Sequence, residues 1–218
     1  MKLSICIPIH DIEAKELFLD RSLTALASQT FKNFEVVITD DSPKALEIPH
    51  YDLYIRYFKN HSKLGMAGNT NQAIKHAQGE IIKILYLDDY LANEHALQDI
   101  VDAFKGGWLV SGCSHNIGGV VQNEHYPTLD ERLSKGINTI GSPSVLAFEN
   151  KNPLLFDEAM SWVLDIDLYL RLYEKYGLPT ILNEVNVIIG IHGEQMTNVL
   201  PDERKEYEGE LLNKKLKK

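Results

Sequence analysis

Short apolar runs alternate with longer stretches of helical spacing through the first half of this chain. Leu3–His10, LSICIPIH, reads as a buried first strand. Leu17, Leu19, Leu23, Leu26 and Ala27 then recur at helical intervals and predict a helix over Glu13–Ser28. Phe34–Asp41, FEVVITDD, is a second strand closed by the turn signal Ser42-Pro43, and Tyr54–Phe58 a shorter third. Gly65–Gln78 carries Ala67, Ile74 and Ala77 at helical spacing and stops at Gly79. Glu80–Leu87 is a fourth strand that ends in Asp88 and Asp89. A helix from Asn93, a good N-cap, to Phe104 precedes a strand at Trp108–Val110. This β-α-β-α-β order predicts a parallel, doubly wound sheet over residues 1–110.

The pattern changes after Ser111. Residues 111–151 are polar, contain glycines and alternate weakly, as antiparallel strands and loops do. Leu164–Tyr176 has apolar residues at alternate positions, but its length and the Gly177 stop favour a helix. Val185–Thr197, VNVIIGIHGEQMT, is a last strand running into a loop with His192. In the tail, Tyr207, Leu211, Leu212 and Leu216 fall on one helical face, and the last five residues include four lysines. Such an end could lie on an anionic membrane surface or form a plain solvated helix. One domain over 1–218 is expected, with halves at 1–110 and 111–200 and a terminal helix at 201–218.

Two acidic pairs, Asp40-Asp41 and Asp88-Asp89, each close a strand. Right-handed crossovers put both on the same rim of the sheet, where ligands sit in open α/β folds. Adjacent carboxylates repel unless a cation lies near them, so the rim suits a metal or nucleotide. An ordinary turn or helix cap is the competing explanation. No glycine-rich phosphate loop follows either strand, so a diphosphate would need a divalent cation there. The net charge of −9 argues against a nucleic-acid partner. Two cysteines, Cys6 and Cys113, fit buried thiols in a reducing compartment. Cys113, His115 and His125 lack a fourth ligand and the usual zinc spacing. The N-terminus is too quickly polar for a signal peptide, and no stretch approaches a membrane span, so a cytoplasmic protein is expected.

The series Pro8, SQTFKNFEVVITDDS (28–42), GMAGNTNQAIKHAQGE (65–80) and LDD (87–89) resembles the nucleotide-sugar half of family 2 glycosyltransferases, which have the GT-A fold. GSPSVLAFEN (141–150), WVLDIDLYLRL (162–172) and IHGEQMT (191–197) are more loosely similar to the acceptor-side strand, catalytic helix and C-terminal histidine loop of that family. The resemblance implies a Rossmann-like mixed sheet with a mostly parallel nucleotide-binding half and a smaller acceptor-side half. Pro8 and His10 would line the base and ribose pocket, Asp41 or Asp40 would bind the base, and Asn71 is the retained helix asparagine. Asp88 and Asp89 occupy the Asp-x-Asp region, which touches ribose and coordinates Mn²⁺ or Mg²⁺; His192 would sit near that metal. Asp165 matches the general base.

The implied activity is inverting transfer from a nucleoside diphosphate sugar, with UDP as the expected nucleotide, to a saccharide or lipid-linked acceptor, as in polysaccharide biosynthesis. The sequence departs from the family at Tyr86, where the first motif acid falls, and at Thr70, Asp11 and Leu164. Those departures keep a silent or partner-dependent nucleotide-sugar-binding subunit in play. A nucleotidyltransferase would need a basic glycine-rich loop after strand one, which IPIHDIEAKE does not offer. A receiver domain would leave the second half unexplained.

Overall fold

A computed structural model describes residues 1–217. Strand β1 (Leu3–Ile9) is followed by helix α1 (Lys15–Ala27), β2 (Phe34–Asp40), β3 (Ile55–Lys59), α2 (Gly65–His76) and β4 (Ile81–Ile84). Next come β5 (Tyr90–Leu91), α3 (Ala96–Ala103), β6 (Trp108–Ile117), β7 (Val120–His125) and β8 (Leu146–Glu149). The chain ends with α4 (Leu164–Tyr176), β9 (Thr180–Ile191), α5 (Met196–Val199) and α6 (Asp202–Leu216). One mixed sheet takes the strands in the order β3-β2-β1-β4-β8-β6-β9-β5, with β7 paired to β6.

The parallel half, β3-β2-β1-β4, follows the apolar runs. Every residue of β1 and β2 is buried, which is why both read as continuous hydrophobic segments rather than alternating ones. The second half differs from expectation in where it joins. Strand β8 inserts beside β4 and runs antiparallel to it, so the Trp108 strand is β8's neighbour and not β4's. Strand β6 continues to Ile117 instead of stopping at Val110. Its polar second half is accommodated by an antiparallel hairpin with β7 on one side and by β9 on the other. Strand β9 begins at Thr180, and register shifts at Ser111–Cys113 let a strand of mixed polarity keep pairing.

Two boundary corrections matter for the site. Strand β4 stops at Ile84, so residues 85–89 form a turn, closed by Asp89 N–H donating to the Tyr86 carbonyl at 3.0 Å. Asn93 does not cap α3; its side chain accepts from His95 N–H at 2.8 Å and organises the turn before the helix.

Helix α6 docks on the domain. Leu212 is buried, and Lys215 bridges Asp157 at 2.6 Å and Asp167 at 2.5 Å. Tyr207 and Leu216 are exposed, so the expected apolar face is split between core and solvent. Lys218 lies outside the described residues. Among those described, no helix is long and apolar enough to cross a membrane.

Candidate active site

A cleft of about 580 Å³ opens at the carboxyl ends of β1, β2 and β4. Pro8 and His10 line it from β1 and Asp41 from β2. The two adjacent aspartates part company here. The Asp40 carboxylate is fully buried, accepting from Ser42 N–H and the Tyr57 hydroxyl, each at 2.6 Å, and does not reach the cleft wall. Asp41 Oδ2 accepts from the N–H groups of Leu64 (2.9 Å) and Gly65 (2.8 Å), and Oδ1 from Asn60 Nδ2. The start of a helix has unpaired N–H groups and a positive dipole end, so a carboxylate is stabilised there. Burial lowers the pKa of His10, against the pull of Asp88, so its imidazole is neutral near pH 7.

Asn71 lies outside this wall. Its amide donates to the Phe156 carbonyl and to Glu158 Oε1, both at 3.0 Å, and accepts from Phe156 N–H at 2.8 Å. The side chain is 1% exposed, so it ties α2 to the segment at residues 156–158 and leaves no polar atom for a nucleotide. Asn69 lines the cleft instead, bonded to the Ile9 carbonyl and to Asn60.

The turn after β4 carries Asp88 and Asp89 to the cleft floor. Asp88 Oδ2 lies 3.0 Å from His192 Nε2, and this hydrogen bond raises the histidine's pKa. Arg21 donates to the Asp88 carbonyl at 2.6 Å while stacking over Tyr90 at 4.4 Å, which fixes the turn's backbone. Asp89 is 2% exposed; Oδ1 accepts from Gly190 N–H at 2.9 Å, and Ser142 Oγ lies 3.4 Å from Oδ2. Burial, then the neighbouring Asp88 charge, holds the Asp89 carboxyl well above the usual carboxylate range. Asp88 and His192 therefore face the cleft as donors, whereas Asp89 anchors the turn to β9. A carboxylate suits Mn²⁺ or Mg²⁺, and an imidazole beside it suits a transition-metal ion, so the pair fits Mn²⁺ better than Mg²⁺. Among the described residues no three His, Cys, Asp or Glu side chains converge as a cage. That fits a cation held by one or two protein groups together with substrate phosphates.

The first turn of α4 lines the same cleft. Asp165 keeps partial contact with solvent and accepts from Asn138 Nδ2 at 2.7 Å and from Ile166 N–H at 2.8 Å. Desolvation pushes its pKa up to about 7, near the working pH expected of a general base. Trp162, 37% exposed, flanks it on the cleft wall. The Tyr86 ring also lines the cleft; its backbone N–H donates to Ser144 Oγ at 2.8 Å, and its hydroxyl is buried with no hydrogen-bond partner.

One cleft thus gathers Pro8, His10, Asp41, Asp88, Asp89, Asp165 and His192, and leaves out Asp40 and Asn71. Sequence reasoning missed Lys83, Asn138 and Trp162. Lys83 is fully buried in β4, donating to the carbonyls of Ser144 and of Ile84, and burial pushes its pKa down to about 7. A lone lysine inside the run IIKI was the available signal. Trp162 carried a weaker one, three positions before Asp165.

A mixed sheet with an acidic turn at its carboxyl rim and a further carboxylate lining the same cleft defines a GT-A-type glycosyltransferase core. The chain belongs to glycosyl transferase family 2, whose family model matches residues 4–158. It is 26% identical over 197 residues to the Escherichia coli K12 glycosyl transferase WcaA, named for colanic acid biosynthesis, covering 83% of this chain and 71% of that protein. It is 31% identical over 102 residues to the E. coli UDP-Glc:alpha-D-GlcNAc-diphosphoundecaprenol beta-1,3-glucosyltransferase WfgD, covering 44% of this chain and 38% of WfgD. Among solved structures, Staphylococcus aureus TarS 1-349 in complex with UDP-GlcNAc superposes with a TM-score of 0.73 at 20% identity, covering 97% of this chain and 65% of that one. Mannosyltransferase PcManGT from Pyrobaculum calidifontis, in complex with GDP-Man and Mn²⁺, gives 0.60 at 16% identity, covering 87% and 56%. The chain spans less than two thirds of each of these two structures, and at such identities they establish the fold alone.

Proposed function

We propose that this glycosyltransferase carries out inverting transfer of a sugar from a UDP-sugar to a hydroxyl of a saccharide or lipid-linked acceptor. The observation that supports this best is that a single cleft is lined both by the hydrogen-bonded Asp88–His192 pair and by Asp165. Residues 1–110 would bind the donor and 111–200 the acceptor, in one domain closed by α6. Pro8, His10 and Asp41 would hold the base and ribose. The UDP-linked names of WfgD and the TarS complex favour UDP, and the WcaA and WfgD names favour a polysaccharide or lipid-linked acceptor.

Asp165 would take the proton from the acceptor hydroxyl as its oxygen bonds to the anomeric carbon, and the bond from that carbon to the diphosphate breaks on the opposite side. Such base catalysis contributes about 10²–10⁴ in rate. Asp88 and His192 would hold a divalent cation, which when bound neutralises charge on the diphosphate. The reaction would take place in the cytoplasm, with the exposed Lys214 and Lys217 available to an anionic membrane surface.

A screen of UDP-, GDP- and dTDP-sugars for slow hydrolysis tests the reading. UDP release that Asp165→Asn suppresses is the expected result. Hydrolysis indifferent to that variant would remove Asp165 from the mechanism, and the absence of any turnover would favour the silent-subunit alternative.

A further inference from the structure

The turn at residues 161–163, which joins the Trp162 wall to the first turn of α4, is held by a side chain far along the chain. Helix α4 has no side-chain cap of its own: Val163 stands at its N-cap. Instead, Glu208 of α6 lays one carboxylate oxygen against three backbone N–H groups, those of Ser161 (2.8 Å), Trp162 (2.7 Å) and Val163 (3.4 Å). Its other oxygen accepts from Arg204 Nε at 2.8 Å, and Arg204 also donates to the Ala159 carbonyl at 2.6 Å. Glu208 is wholly buried. Two turns further along α6, Lys215 grips Asp157, ahead of this segment, and Asp167, within the first turn of α4. Helix α6 therefore spans the segment that presents Trp162 and Asp165 to the cleft.

We propose that Glu208 is a positioning residue for the acceptor side of the site, acting through the Ser161–Val163 turn on Trp162 and Asp165. The chemistry of the contacts carries this. Both oxygens of Glu208 act only as acceptors, and each faces donors. A glutamine there must turn its NH₂ either toward Arg204 or toward the three N–H groups, so one side of the clamp is lost whichever way it lies. The donor pocket shares no hydrogen bond with this clamp: Asp41 is held by Asn60, Leu64 and Gly65, and Asp88 by His192 and Arg21. Loosening Glu208 should reach the base and the acceptor wall while the nucleotide pocket stays intact.

The inference rests on the donor–acceptor reading of the cleft, and Glu208→Gln tests it with two readouts. With UDP-glucose and Mn²⁺, the variant is expected to hydrolyse donor with kcat lowered about tenfold or more, while its KM for donor and its Kd for UDP stay within about twofold of wild type. The second readout needs no turnover. Of the two tryptophans, Trp108 is 1% exposed and Trp162 37%, so acrylamide quenching reports on Trp162, and the variant should be quenched more readily. Unchanged kcat with unchanged quenching overturns the proposal, as does a loss of UDP affinity in parallel with kcat. If the wild-type protein neither binds UDP nor hydrolyses UDP-glucose, the transfer reading fails, and quenching alone still decides whether Glu208 places Trp162. Should E208Q fail to fold, Glu208→Asp, which keeps both acceptor oxygens on a stem one methylene shorter, is put through the same measurements with the same criteria.

Discussion

Gly190 offers the sharpest test of how the acidic turn is held. Its N–H donates to Asp89 Oδ1 at 2.9 Å, and its α-carbon passes so close to the turn that a Cβ would sit 2.2 Å from the Asp88 carbonyl oxygen. The same Cβ would be 3.1 Å from the Asp88 carbonyl carbon and 3.3 Å from the Arg21 guanidinium. Real Cβ contacts essentially never fall below 3.0 Å, so Gly190→Ala must drive backbone away from backbone by about 0.8 Å. Overpacking of this kind costs roughly 1–3 kcal/mol. For a domain of this size each kcal/mol lowers Tm by about 2–4 °C, so a loss of roughly 2–12 °C is expected. The displaced turn carries Asp88, and a misplacement of about 1 Å at a reacting group can lower turnover by about 10²-fold. Thermal melts and UDP-sugar hydrolysis measure the two effects separately. A variant with wild-type Tm would refute the packing argument. A lower Tm with wild-type kcat would show that the turn's placement does not matter to the reaction.

Asp165→Asn should lower turnover by about 10²–10⁴-fold and alter the pH dependence of stability. The folded-state pKa of Asp165 is raised from 3.8 to about 7, so the folded protein binds the extra proton and the group's contribution is lost as pH rises through that window. The asparagine variant should therefore gain on the order of 1–2 kcal/mol relative to wild type at pH 8, less than the full shift because the carboxyl keeps solvent contact. No gain relative to wild type at pH 5 is expected to match it, and equal offsets in urea melts at both values would contradict the raised pKa. Wild-type kcat should rise with pH through about 7. Asn71→Ala should cost about 1–3 kcal/mol, since it strands the buried backbone N–H and carbonyl of Phe156, yet leave UDP affinity unchanged by titration calorimetry. A thermal shift with UDP should appear with Mn²⁺ and fade with chelator or in Asp88→Ala; at a ligand concentration 100 times Kd it corresponds to about 2.7 kcal/mol.

The parallel half of the sheet was legible because its buried strands leave unbroken apolar runs and because acids at their ends stand out. Helix α4 was legible to the residue, since Gly177, with φ of 78°, stops it where few other residues could. The later strands were harder. The polar second half of β6 hides in a hairpin, and β9 changes register against it, so neither shows one clean period. Asp40 and Asp41 cannot be told apart by composition, because which carboxylate reaches the cleft depends on Tyr57 and on the start of α2. Glu208 looked like one more charge on a solvated tail, for the three backbone N–H groups it accepts from lie 45 to 47 positions away.

The clamp on the acidic turn also sets an order of events during synthesis. Gly190 and His192 meet Asp89 and Asp88 across 101 and 104 residues of chain. Contacts of such separation form late, after the closure entropy of the intervening segment has been met by other pairings. As the protein leaves the ribosome, the parallel strands can assemble while their two carboxylates still lack the imidazole and the amide that steady them. The nascent chain therefore pairs its parallel strands before the acidic turn at their rim is clamped, and that clamp closes only with β9.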